Sequence, residues 1–137
     1  MEIPLTELAS AFAQSDVRQG YVDLVRGAVV LLPERMAEEA AMERMLALEE
    51  DWERYVMLPN LYDGEEKNAM RRFAESRKDA ELRRQLLERL AGEAPVAGFR
   101  QLVRHLRLQS EWQDSLQEHF LEVARDWCEE NGIECRG

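Results

Sequence analysis

"GYVDLVRGAVVLLP" (residues 20–33) decides whether this chain is all-helical or carries a sheet. Runs of β-branched and apolar residues flank Arg26-Gly27. A short connection containing glycine between two such runs reads as a β-hairpin, with Gly27 supplying the positive φ that the turn requires. Downstream, "RYVMLP" (54–59) is short, apolar and stopped by Pro59, so it reads as a third strand beside the hairpin. Between these strands, Met36, Ala40, Ala41, Met45 and Leu48 form a helical stripe from Glu34 to about Glu50. Upstream, Leu5, Leu8, Ala9 and Phe12 recur at helical spacing between Pro4 and Gln14, proline being tolerated in a first turn.

Everything after the third strand reads as helix. Asp63 and Glu66 have the spacing of a capping box, with Met70, Phe73 and Ala74 on the apolar face behind it. Asp79 is placed to cap the next helix, whose Leu82, Leu86, Leu87 and Leu90 share one side. "AGEAPVAG" (91–98) breaks that helix, and Val96, Phe99, Val103 and Leu106 define another. Ser110 and Gln113 form a second capping-box pattern ahead of Trp112, Leu116, Phe120, Val123 and Trp127, which step by helical intervals along one face. The expected fold is α+β and mostly helical: a small antiparallel sheet, hairpin plus one strand, packed with about five helices in a single domain over residues 1–137.

Composition agrees with a folded domain, since 45% of the 137 residues are hydrophobic, enough to build a core. The longest apolar run, Ala28 to Leu32, is far too short to span a membrane. No basic residue precedes an apolar stretch in Met1 to Gln14, so nothing there reads as a secretory signal, and a reducing cytoplasm is the expected location. The net charge of −10 is unevenly spread. Residues 1–70 carry a net −9, residues 71–109 a net +5, and residues 110–137 a net −6. Overall acidity argues against general nucleic-acid affinity, which needs clustered cations.

The most chemically equipped stretch is the ending, "RDWCEENGIECRG" (125–137), with both cysteines. Asn131-Gly132 lies just past the last periodic residue, where a left-handed cap is expected, and Ile133 should fold back onto the final turn. Cys128 reads as a small packing thiol at the edge of the apolar face, and Cys135 as part of a tail. Their spacing is not that of a CxxC pair, and no second pair completes a zinc site. No metal and no cofactor are expected, because His105 and His119 find no convergent ligand set and no phosphate-loop or nucleophile-elbow pattern occurs. The basic block is the remaining candidate. Arg100, Arg104 and Arg107 follow helical spacing beside His105, which makes these four residues a candidate anion or partner patch. The competing reading is that these cations neutralise the acid-rich flanking blocks.

"RYVMLPNLYDGEE" (54–66), "MRRF" (70–73), "FRQLVRHLRLQSEW" (99–112) and "ARDWCEENGI" (124–133), in this order and spacing, resemble uncharacterised protein family 0158, a set of small bacterial proteins. The resemblance runs from about Tyr21 to Ile133, and its most specific part is the Trp-Cys-Glu-Glu-Asn-Gly-Ile ending. It implies a neighbour at the level of fold and no mechanism. Relatives resemble Gly-Arg-Gly-Ala-Phe-Arg-Arg-Phe-Lys where this chain has Gly92 to Arg100, and Trp-Tyr-x-Phe followed by a base where it has Trp112 to Leu116. Any anion site that relatives build from that basic-aromatic set is therefore not expected here.

Three functions remain open on the sequence. One is a non-catalytic cytoplasmic module that binds a protein partner through an acidic surface, with neither nucleic acid nor membrane as partner. Another is a small-molecule or nucleotide binder, or an enzyme, using Arg100, Arg104 and His105. The third is an acidic inhibitor of a basic protein. Convergence of Arg100, Arg104 and His105 on a pocket, or its absence, separates the first two.

Overall fold

The computed structural model describes residues 2–33 and 38–137. Met36, placed on the sequence-predicted stripe, lies outside them. The chain forms two compact units, one from residues 1–62 and 120–137, the other from residues 63–119.

The first unit contains β1 (Ile3–Pro4), α1 (Leu5–Ala13), β2 (Gly20–Asp23), β3 (Ala28–Leu31), α2 (Glu38–Glu50) and β4 (Tyr55–Met57). It also holds residues 120–131 of α6 (Gln109–Asn131) and β5 (Cys135–Arg136). The hairpin and third strand pair as expected, in the order β3-β2-β4 and antiparallel throughout. Tyr21 lies opposite Val30 on one side and Met57 on the other, and Val22 opposite Val29 and Val56. Both faces of β2 are covered, so all four of its residues are buried. Tyr21 packs with Leu32 and Leu48 on the α2 side.

The hairpin turn is built from residues chosen for it. Gly27 takes φ +65°, and its N–H donates to the Asp23 carbonyl at 2.9 Å. Asp23 Oδ1 accepts the backbone N–H groups of Val25 and Arg26 at 3.0 and 3.1 Å. These hydrogen bonds satisfy donors that the turn would otherwise leave without a partner.

Cys135 is not in a free tail. It pairs in parallel with Ile3, whose N–H donates to the Glu134 carbonyl at 2.9 Å, so β1 and β5 form a two-stranded sheet of their own. Pro4 accordingly precedes α1 as its N-cap instead of occupying its first turn. This pairing joins the two ends of the sequence and has no local signature, so hydrophobic periodicity could not reveal it. In the same unit, Phe12 and Trp127 meet edge to face with centroids 5.6 Å apart, and Tyr62 stacks on Phe120 at 5.8 Å.

The second unit is helical: α3 (Tyr62–Glu75) beyond its first residue, α4 (Ala80–Leu90), α5 (Pro95–His105) and the first turns of α6. With α1 and α2 these make six helices among the described residues. The core of this unit centres on Phe73, Phe99 and Trp112, three aromatic rings in mutual edge-to-face contact with centroids 5.0–6.0 Å apart. Met70, Ala74, Leu86, Leu102 and Val103 close around them. Asp79 caps α4 as expected, its carboxylate accepting the Leu82 N–H at 3.0 Å.

Both capping-box expectations require correction. α3 starts at Tyr62, which places Asp63 inside the first turn, and α6 starts at Gln109, which does the same to Ser110. The reason at α6 is the way the preceding helix ends. α5 ends through Arg107 at φ +57°, with the Leu108 N–H reaching back to the Val103 carbonyl at 2.9 Å. That closure sets Leu108, whose carbonyl accepts the Trp112 N–H at 2.9 Å, at the head of α6.

Candidate functional site

The four residues of the basic patch do not share one helical face. Arg100 and Arg104 lie one turn apart on α5, His105 is its last residue, and Arg107 lies beyond the helix end in the left-handed conformation. Arg100 forms an ion pair with Glu66 of α3, a carboxylate that is itself buried. Arg104, His105 and Arg107 are exposed. The described clefts are lined by other residues. One of about 440 Å³ runs along α4 past Arg83, Arg84 and Leu87, and Arg84 there is clasped by Glu81 and Glu88. Arg77 lies over the Phe73 ring at 4.0 Å and pairs with Glu111 at 2.9 Å. Three of the ten cations of the basic block, Arg77, Arg84 and Arg100, thus pair with acids of the chain itself.

A second kind of ion pair, bidentate and buried on its acid side, lies at the hairpin. Arg54 Nε donates to Asp23 Oδ1 at 3.0 Å and its Nη2 to Oδ2 at 2.9 Å, a bidentate fork. The Asp23 side chain is 3% exposed and that of Arg54 32%. The guanidinium beside it, helped by the N–H groups of Arg26 and Val25, holds the Asp23 carboxyl at about 2 despite the opposing effect of burial. This clamp has no local signature, because its two halves are 31 residues apart. It fixes the hairpin turn to β4.

The chain ending is a helix stop, as the residue types indicate. Gly132 takes φ +64°, and the Ile133 N–H donates to the Cys128 carbonyl at 2.9 Å. The Asn131 side chain donates to the Trp127 carbonyl at 2.8 Å. Trp127 and Cys128 are buried, with Phe120 and Ala124, while Val123, expected on that face, is only half-buried. The reversal has a second consequence. Asn131, Gly132, Ile133 and Glu134, together with Leu24 and Val56, line a cleft of about 450 Å³. Among the described residues no three His, Cys, Asp or Glu side chains converge in the manner of a metal site.

A different surface stands out by exposure. Among the described residues, the large apolar side chains open to solvent are Val17, Leu24, Val25, Met42, Leu46, Trp52 and Met57, all within residues 17–57. Met42 and Leu46 are one turn apart on α2, opposite the inward side that carries Leu48. Trp52 follows the helix end and is 73% exposed. Seven acids and one base, Arg44, occupy residues 38–53, so these apolar groups stand within an acidic rim. Of the stripe expected from the helical period, Leu48 is buried and Ala41 and Met45 are half-buried, whereas Ala40 is exposed; Met42 and Leu46 belong to no such stripe.

The chain matches the model of the Uncharacterised protein family (UPF0158) over residues 1–136, and it belongs to that family. The match extends to both ends, beyond the Tyr21 to Ile133 span of the sequence resemblance. It therefore takes in the strands β1 and β5. No curated protein and no solved structure matches.

Proposed function

We propose that this member of the family is a non-catalytic, cytoplasmic protein-interaction module. Its contact surface is the acidic, apolar face of α2 and the turn after it, with Trp52 as anchor. The partner that fits is a protein with an apolar groove flanked by Lys and Arg. One observation carries the reading: among the described residues the exposed large apolar groups all fall within residues 17–57, and Trp52 is the most exposed of them at 73%. Tryptophan is enriched among the few residues that dominate interface energy, and acidic rims steer basic partners and set association rates. Among the described residues no helix is long and apolar enough to cross a membrane, so a lipid-spanning role for this apolar surface has no support.

Trp52→Ala is expected to leave thermal stability nearly unchanged, because exposed side chains contribute within about 0.5 kcal/mol. The same variant should weaken binding to the purified partner by about 30-fold or more, as expected for a hot-spot residue. Binding that survives Trp52→Ala but is lost when Arg100, Arg104 and Arg107 are all replaced by Ala would overturn the reading.

On this account the basic patch is no anion site: Arg100 is engaged by Glu66, and Arg104, His105 and Arg107 line neither described cleft. Labelled oligonucleotides and ATP are therefore expected to show no binding at physiological salt. Salt-sensitive binding that the triple Ala variant loses would favour the ligand-binding alternative.

A further inference from the structure

The two cysteines, seven positions apart, are brought near each other by the fold. Gly132 and the Ile133-to-Cys128 hydrogen bond reverse the chain at the end of α6, and β5 then runs back beside β1 with Cys135 opposite Ile3. Ile3 is fully buried, so the strand carrying Cys135 is held against the core at that point. The 2.9 Å hydrogen bond from the Ile133 N–H to the Cys128 carbonyl brings the segment that leads into β5 back past Cys128, and the two thiols are near enough to influence each other. Cys128 is 1% exposed, whereas Cys135 is half-buried and open on one side. We infer that Cys128 and Cys135 form an oxidisable dithiol site, which a small disulfide converts to an intramolecular disulfide joining the end of α6 to β5.

The asymmetry of burial sets the order of events. Cys135 is the thiol that an oxidant can reach. Its thiolate attacks one sulfur of glutathione disulfide, the S–S bond of the oxidant breaks, and the first glutathione leaves as a thiolate that takes up the proton Cys135 gave up. Cys128 then loses its proton and attacks the Cys135 sulfur, and the second glutathione leaves and is protonated in turn. Two protein thiols are oxidised and one glutathione disulfide is reduced to two glutathiones. Burial first, and then the neighbouring Cys135, push the Cys128 thiol up to about 12. Cys128 is therefore a poor entry point at neutral pH and acts only where a partner sulfur is already beside it. Ring closure should accelerate as pH rises, since the thiolate is the attacking form.

The test is intact-protein and peptide mass spectrometry after the reduced, folded chain is incubated with excess glutathione disulfide. The expected product is a monomer lighter by two hydrogen atoms, with no glutathione retained and with Cys128 and Cys135 in one linked peptide pair. Cys128→Ser should stop at a stable glutathione adduct on Cys135, and Cys135→Ser should remain unmodified while folded. A wild-type chain that accumulates the Cys135 adduct with Cys128 still free on denaturation would overturn the inference. So would a disulfide-linked dimer, or no reaction at all. The wild-type product alone decides the matter even if a variant fails to fold.

Discussion

Trp127→Ala should cost about 3–5 kcal/mol of stability, the range seen when a large aromatic is deleted from a packed core. Its ring is 7% exposed and meets Phe12 edge to face at 5.6 Å. Its neighbours on the buried face of α6 are Phe120, Ala124 and Cys128, of which the last two are too small to refill the space. The Trp127 carbonyl also holds the Asn131 side chain, so a cavity at this position would loosen the helix stop as well. Glu129→Ala, on the exposed side of the same helix, should be silent. Urea unfolding of the two variants checks both expectations. A Trp127→Ala protein unfolding within about 0.5 kcal/mol of wild type, the range for surface substitutions, would contradict the placement.

The second large effect is at the hairpin clamp. Asp23→Ala removes a buried acceptor from two backbone N–H groups and from both ends of the Arg54 fork. Truncating one partner of a buried, hydrogen-bonded ion pair typically costs about 3–5 kcal/mol, and the lower end applies because Arg54 keeps access to water. The same site gives a pH dependence whose sign is fixed. The folded carboxyl titrates at about 2, below its unfolded range, so its contribution is fully present above about pH 4. That contribution, about 2 kcal/mol, fades as pH falls from about 4 through 2. Asp23→Asn should flatten that part of the acid-denaturation profile. An unchanged profile would show that the clamp contributes nothing in solution.

What the sequence disclosed depended on whether the deciding interaction was local. Gly27 between two β-branched runs, Asp79 three residues before Leu82, and Asn131-Gly132-Ile133 after a periodic helix each carry their own signal, and all three behave as read. The capping boxes misled because their residues had other uses. Glu66 answers Arg100, 34 residues away, and Leu108 occupies the cap position that the spacing assigns to Ser110. Ile3 beside Cys135, and Asp23 beside Arg54, are products of the finished fold. The cationic patch was visible as a cluster, yet the acid that engages Arg100 was not. Met42 and Leu46 are hard to read for the opposite reason. They stand on the outer side of a helix whose inner side had already accounted for the pattern.

The interaction surface can be tested by placing a photo-crosslinking amino acid at position 52 in one version of the chain and at position 104 in another, then irradiating living cells. The account predicts a discrete heavier adduct with another protein from position 52 and none from position 104. An adduct from position 104 with position 52 silent would contradict it.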